Sequence, residues 1–271
     1  MNILVVGQNG YLGSYLTENL PCQGVSVRSP EDLRNIPQPD LVINCAGVSS
    51  LEACEAAPEL SRRANLELVQ WLCGAFRGAT LVHFSSYYVY DAPGACAESA
   101  PTTDRYAYTA HKLASERCVL DNGGSVFRLG KLFGHPDVSR QLKLTEALIA
   151  GHVTQVDRSA FNPTSLPAVL HTIQAVITRD IAPGLYNLSN SGFTTHATYA
   201  TEVYSALHRP FTLTICEQIT RSFHNYGRFL MSTNNLARSV HLNPWQVDLH
   251  RYIELLRSAE PCTASATSSI S

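Results

Sequence analysis

Short apolar runs alternate along this chain with longer stretches in which apolar residues recur every three or four positions. Ile3-Leu4-Val5-Val6 is continuous, brief and rich in β-branched residues, the mark of a strand buried on both faces. Over 11–20 the apolar positions are Leu12, Tyr15, Leu16 and Leu20, a helical stripe. Val25-Ser26-Val27 predicts a second strand. Leu41-Val42-Ile43 predicts a third, introduced by the turn Pro37-Gln38-Pro39-Asp40. A helix is predicted over 60–76, with Leu66, Val69, Leu72, Cys73 and Phe76 on one face. A strand over 80–84, a helix over 106–120 and a strand over 125–129 continue the alternation.

Strand–helix alternation of this kind argues for an α/β fold with a parallel sheet covered on both faces. Right-handed crossovers make the expected product a doubly wound Rossmann sheet. After residue 131 the pattern loosens. Helices are predicted over 142–150, 166–177, 196–207 and 244–256, and short strands over 185–188 and 211–215. The expected organisation is a Rossmann NAD(P)-binding domain over 1–131, with 160–180 returning to it. A mainly substrate-binding α/β lobe follows over 132–258. The Ser/Thr/Ala-rich stretch 259–271 is expected to be a disordered tail.

Composition narrows the partners. Of 271 residues, 45% are hydrophobic and 15% charged, which supplies a large core and argues against disorder. The formal net charge is -2, so no basic excess points to nucleic acid or to an anionic membrane surface. No apolar run is long enough to suggest a membrane span. None of the eight cysteines is spaced C-x-x-C and no histidine spacing suits a metal, so no metal site is expected. No secretory signal is read at the N-terminus, and a reducing cytoplasm is the expected compartment.

The turn Gly7-Gln8-Asn9-Gly10-Tyr11-Leu12-Gly13 follows the first strand and opens the first helix. A helix N-terminus offers unpaired N–H groups and partial positive charge to a pyrophosphate, and glycines let the backbone approach it closely. Gly7, Asn9, Gly10, Tyr11, Leu12 and Gly13 are therefore candidate cofactor residues. An acidic residue after the second strand would hold the ribose of NAD; this chain has Arg28-Ser29 instead. Arg28 suits the 2′-phosphate of NADP, or is an ordinary solvated side chain. NADP is the preferred cofactor, with NAD the alternative.

Tyr108 and Lys112 stand at i and i+4, on one face of a predicted helix. A lysine there can stabilise the phenolate and bring the tyrosine, ordinarily near 10, toward neutral chemistry. Ser85 and Ser86 end a core strand, at the edge that faces the ligand crevice of a parallel sheet. Such a serine can hydrogen-bond the substrate oxygen that the tyrosine protonates.

The set Gly7-x-x-Gly10-x-x-Gly13, Asn44-Cys45-Ala46-Gly47, Ser85-Ser86-x-x-Val89-Tyr90 and Tyr108-x-x-x-Lys112 resembles the extended short-chain dehydrogenase/reductase superfamily. The later segments Arg128-Leu129-Gly130-Lys131-Leu132-Phe133-Gly134, Asn162-Pro163-Thr164, Gly184-Leu185-Tyr186-Asn187-Leu188-Ser189 and Ser232-Thr233-Asn234-Asn235-Leu236 resemble its dTDP-4-dehydrorhamnose reductase branch. The resemblance spans about residues 1–257. It implies that Tyr108 is the catalytic acid/base, that Lys112 tunes it and binds the nicotinamide ribose, and that Ser86 orients the carbonyl. It also implies that Asn44, Cys45, Ala46 and Gly47 line the cofactor, that Asn65 supports the site, and that the stretch 129–133, from Leu129, passes the nicotinamide amide. Ser85 is a further cofactor candidate. Ser86, Tyr87, Tyr88, Phe133 and Asn162 are candidate substrate contacts, with Arg158 and Phe161 beyond them.

One departure is that the rhamnose-pathway reductases carry Thr-Asp where this chain has Ser86-Tyr87, which leaves the sugar open. The implied activity is NAD(P)H-dependent reduction of a nucleotide-linked 4-keto sugar in deoxysugar or polysaccharide biosynthesis. Two alternatives stand beside it. One is a sugar-nucleotide epimerase with retained NAD. The other is a non-catalytic regulatory subunit like that of methionine adenosyltransferase. A nucleotide sugar is the expected partner, and a homodimer is left open.

Overall fold

The structure is a computed structural model and describes residues 1–91, 94–139, 143–208, 210–216 and 229–259. The first half alternates as expected: β1 (Ile3–Val6), α1 (Tyr11–Asn19), β2 (Gln23–Val25), β3 (Leu41–Asn44), α2 (Leu51–Ala56), α3 (Pro58–Arg62), α4 (Leu68–Ala75), β4 (Thr80–Ser86), β5 (Gly94–Cys96), α5 (Ala107–Asp121), β6 (Ser125–Leu129) and β7 (Lys131–Phe133). The second half contributes α6 (Leu144–Ile149), β8 (Gln155–Asp157), β9 (Ala160–Phe161), β10 (Pro163–Ser165), α7 (Leu166–Ile177), β11 (Leu185–Leu188), β12 (Thr194–Thr195), α8 (His196–Leu207), β13 (Thr214–Cys216), β14 (Phe229–Met231) and α9 (Trp245–Ala259).

Among the described residues, six strands form one sheet in the order β11-β6-β4-β3-β1-β2, and every neighbouring pair is parallel. The alternation of side chains along β1 shows how both faces are covered. Ile3 and Val5 enter the cluster shared with α1 and α7, whereas Leu4 and Val6 enter the one built on α4 and α5. The chain steps from β1 out to β2 and then back across β1 to β3. The strand order reverses there, and a ligand crevice opens outside the carboxyl ends of β1 and β3.

Some elements shift from their expected bounds. The second strand falls on Gln23–Val25 rather than 25–27, because pairing with Leu4, Val5 and Val6 selects those three residues over the more apolar ones. The helix expected over 60–76 is α3 and α4 joined by a π-helical turn, Arg63–Glu67. The 211–215 strand forms as Thr214–Cys216 and the 142–150 helix as Leu144–Ile149, with 142 itself outside the described residues. Besides α7, which packs on α1, the strand β11 also joins the main sheet, at the edge beside β6. Ala259 still belongs to α9, and 260–271 lie outside the described residues.

The second lobe has its own core, in which Phe133, Phe161, Tyr199, Trp245, Leu249 and Ile253 are buried together. Short two-stranded ladders tie it together: β7 with β10, β9 with β12, and β8 with β13.

Candidate active site

The glycine turn is close-packed. Gly7 has φ +88°, and a Cβ there would lie 2.7 Å from the backbone nitrogen of Ala46. A Cβ on Gly13 would lie 2.0 Å from the Gly7 carbonyl oxygen. Helix α1 starts at Gly10 with no side-chain cap and no acidic residue in its first turn. Its N-terminal N–H groups are thus left to an external anion. The residues present fit a dinucleotide pyrophosphate.

A cleft of about 400 Å³ opens outside the strand ends. The glycine turn reaches it through Gly10, Tyr11 and Leu12, and the end of β3 through Asn44, Cys45, Ala46 and Gly47. Ser85, Ser86, Tyr87, Tyr88, Tyr108, Lys112 and Leu129 line it as well. Gly7 and Gly13 shape the turn from behind. Asn9 sits at its exposed edge, where its amide donates to Ser26 Oγ at 3.1 Å. Arg28 is exposed, just beyond β2. Phe133 and Asn162, expected at the substrate, are not among the lining residues. Phe133 is buried in the second lobe's core. Asn162 bridges backbones, donating to the Gly192 carbonyl at 3.0 Å and accepting from the Met231 N–H at 2.8 Å. Phe161 is likewise core, and Arg158 is exposed.

The catalytic candidates meet because the register of the sheet and the packing of α5 bring them together. Ser86 ends β4 and accepts the Tyr88 N–H at 3.2 Å. Tyr108, in the first turn of α5, is hydrogen-bonded to Ser86. Burial pushes the Tyr108 phenol well above 10, and the bond to Ser86 pulls it back. Lys112 is buried one turn on, where its ammonium donates to the Phe84 carbonyl at 2.9 Å. Burial pushes Lys112 down to about 8, with Glu116 opposing. The sequence leads one to expect Lys112 to bring Tyr108 toward neutrality. In the structure Ser86 exerts the lowering influence, because the lysine's ammonium is drawn to the Phe84 carbonyl.

Three groups fix this machinery from behind. Asn65, fully buried in the π-helical turn, accepts the Val48 N–H at 3.0 Å and donates to the Val48 carbonyl at 3.1 Å, clamping the loop after β3. A π turn in this place is what lets one helix residue reach that loop. Glu116 takes a two-point bond from Arg128, 2.6 and 3.0 Å, and also accepts the Ser85 hydroxyl. Ser85 therefore turns its hydroxyl to this pair. His83 lies beneath Lys112 and is held neutral by burial and by the nearby lysine charge. Ser115 donates to the Lys112 carbonyl, so His83 Nε2 donates to Ser115 and its Nδ1 accepts from Asn44.

The remaining lining includes Gly130, Lys131 and Leu132, within the stretch expected at the nicotinamide amide, and Val48, Ser49, Phe84, Lys143 and Leu144, which the sequence reading did not single out. Lys143 lies over the ring of Tyr11, 5.7 Å from its centroid, and the Tyr11 hydroxyl donates to Glu146 at 2.7 Å. Lysines at strand and helix ends carry no spacing signal, so only the meeting of the two lobes reveals them. The described lining thus holds three lysines and no carboxylate.

Comparison with known proteins supplies the family. The family model described as the RmlD substrate binding domain matches residues 1–258. The chain belongs to the RmlD substrate binding domain family. The resemblance read from the sequence is borne out at this level. Within the RmlD family, the dTDP-4-dehydrorhamnose reductase of Streptomyces griseus is 30% identical over 230 residues, 75% of each chain. That of Salmonella typhimurium is 27% identical over 245 residues, 80% of this chain and 82% of the relative. The fold is shared with the dTDP-4-dehydrorhamnose reductase of Clostridium acetobutylicum (TM-score 0.81, 20% identity, 95% of this chain and 100% of that one). It is equally shared with the Bacillus anthracis reductase solved in complex with NADP (TM-score 0.81, 19% identity, 94% and 98%). Among the described residues no helix is long and apolar enough to cross a membrane, and no three His, Cys, Asp or Glu side chains come together to hold a metal ion.

Proposed function

We propose that this protein is an NADPH-dependent reductase of a nucleotide-linked 4-keto sugar, the substrate class named for its relatives. The observation that carries the reading is the meeting of Ser86, Tyr108 and Lys112 with the glycine cradle in one cleft, lined by three lysines and no carboxylate. Both partners of the reaction are multiply charged anions, and such a lining suits them in a chain whose net charge is -2.

The glycine turn and the N-terminus of α1 hold the pyrophosphate of the dinucleotide, and Ala46 and Gly47 border its adenosine side. When bound, the dinucleotide supplies the hydride. Everything else falls to the chain. Ser86 donates a hydrogen bond to the carbonyl oxygen and fixes its position. Tyr108, protonated at neutral pH because it is buried, gives its phenolic proton to that oxygen as charge builds there. Lys112, anchored on Phe84, places a positive charge by the nicotinamide ribose. Tyr87 and Tyr88, with ring centroids 4.3 Å apart, form an aromatic wall beside the carbonyl seat and contact the sugar.

NADP is favoured at the end of β2. Of the two acidic residues that follow, Asp32 is occupied in accepting the N–H groups of Arg28 and Ser29, at 2.7 and 3.0 Å, and Glu31 pairs with Arg34 at 3.5 Å. The Arg63 guanidinium donates to the Arg28 carbonyl at 3.4 Å. Arg28 and Arg63 are thus both at the end of β2, where they can meet a 2′-phosphate. We place the reaction in a reducing cytoplasm, which suits the seven described cysteines, all free thiols.

The test mixes the purified protein with NADPH and a dTDP-4-keto-6-deoxy sugar and follows absorbance at the nicotinamide band. A steady fall is expected. No oxidation of NADPH with any 4-keto sugar nucleotide would overturn the reading.

A further inference from the structure

Lys131 stands on the lobe side of the cleft at the end of a buried polar chain. Its ammonium lies 2.8 Å from His196 Nε2. His196 Nδ1 lies 3.1 Å from Asp157 Oδ1, 2.9 Å from Ser159 Oγ and 3.1 Å from the Ser159 carbonyl. His196 and Asp157 are 4% and 2% exposed, so the chain is shielded from water. The Phe161 ring packs on the imidazole at 4.6 Å between centroids, and the Lys131 ammonium stands 5.4 Å from the same ring centroid.

Elementary chemistry settles how the proton is placed. An ammonium has no lone pair, so the imidazole nitrogen facing it must accept. That puts the ring proton on Nδ1, where Asp157 and the Ser159 carbonyl receive it. His196 is thus a neutral acceptor locked in one tautomer, and its task is to hold a lysine. A lysine on four rotatable bonds is otherwise a loose point charge.

The sheet decides which anion the lysine can meet. Leu129, two residues before Lys131, is in register with Ser86. The glycine turn follows β1, three strands away from β6 in the order β6-β4-β3-β1, or about 14 Å at the usual spacing. Lys131 therefore lies by the carbonyl seat, far from the cofactor's pyrophosphate.

We infer that Lys131 is a binding residue for the diphosphate of the nucleotide sugar, and that His196 and Asp157 are positioning residues that hold its ammonium in place. This rests on the reading of the cleft as a nucleotide-sugar site.

The test measures dTDP binding and NADPH binding separately by calorimetry, in the full chain and its variants, at several salt concentrations. Lys131→Met is expected to weaken dTDP about tenfold and to flatten its salt dependence, with NADPH binding as in the parent. Lys131→Arg keeps most of the affinity. His196→Ala and Asp157→Asn weaken dTDP by lesser factors and, in turnover, raise KM for the sugar nucleotide more than they lower kcat. A merely structural role would lower stability and both affinities together. Unchanged dTDP binding in Lys131→Met overturns the inference, and so does a loss that falls on NADPH instead. If the parent protein binds NADPH but no nucleoside diphosphate, the proposed substrate class fails and the inference falls with it. If dTDP binding is lost in Lys131→Met while the parent shows no turnover, the diphosphate site stands and only the reductase reading fails.

Discussion

The cleft has two walls, and each rests on a buried glutamate. On the sheet side Glu116 is fully matched: Arg128 grips it with two bonds and Ser85 adds a third. On the lobe side Glu146 Oε1 accepts the Tyr11 hydroxyl at 2.7 Å, the Gly134 N–H at 3.4 Å and, at 3.2 Å, a share of the Tyr252 hydroxyl that also donates to the His135 carbonyl, while its Oε2 has no hydrogen-bond partner among the described residues. A carboxylate paired with a guanidinium in a dry core defines one geometry and holds it. A carboxylate served on one oxygen by neutral donors, without a guanidinium, defines its surroundings less tightly. The sheet wall carries the groups that must meet within hydrogen-bond distance to move a proton. The lobe wall carries lysines, whose Coulombic reach tolerates a looser setting.

The sharpest way to break this contrast is at the sheet wall's hydroxyl. Tyr108→Phe removes the proton donor and should lower kcat by about 10²–10⁴-fold while NADPH binding, read by fluorescence, is retained. Next comes the support. Glu116→Ala leaves Arg128 buried without its carboxylate and should lower stability by about 3–5 kcal/mol in denaturant unfolding. If Glu116→Ala unfolds at the parent's midpoint, the sheet wall is not held as described. Then pH: Lys112, at about 8, loses its charge as pH rises. Its lowered value means that the charged form is the minority above about 8. The kcat/KM for reduction should therefore fall by about tenfold per unit on the alkaline side of that value, a limb that Lys112→Arg removes. Arg28→Ala should reduce the preference for NADPH over NADH by about tenfold, with the NADH rate little altered. Smallest is the counterpart of the Glu116 change. Glu146→Gln should alter stability by no more than about 1 kcal/mol, since it removes a charge that was only partly satisfied. Equal losses from the two glutamate variants would erase the distinction between the walls.

Much of the sheet wall can be read from the chain because its residues answer to local rules. Gly7, Gly10 and Gly13 must stand at a strand–turn–helix junction, and Tyr108 and Lys112 must be one helical turn apart. The lobe wall follows no such rule. Lys131 reaches the cleft because β7 pairs with β10 at the junction of the lobes, and Lys143 because α6 packs under the glycine turn's Tyr11. Phe133, expected at the substrate, went into the second lobe's core, where it packs on Tyr199 with ring centroids 6.2 Å apart, because the chain has left the cleft after Lys131 and Leu132.

By itself, then, the sequence determined the strand–helix alternation, the parallel sheet, the glycine cradle and the Ser86–Tyr108–Lys112 set. All of these follow from residues near one another in the chain, whose periodicity and backbone freedom act locally. Tertiary structure alone decided that Ser86, rather than Lys112, moderates the Tyr108 phenol, that Glu116 and Arg128 lock the sheet wall, and that Asp157 and His196 hold Lys131. Those outcomes depend on burial and on partners 12 to 65 residues away, and burial and distance are set only when the elements have packed.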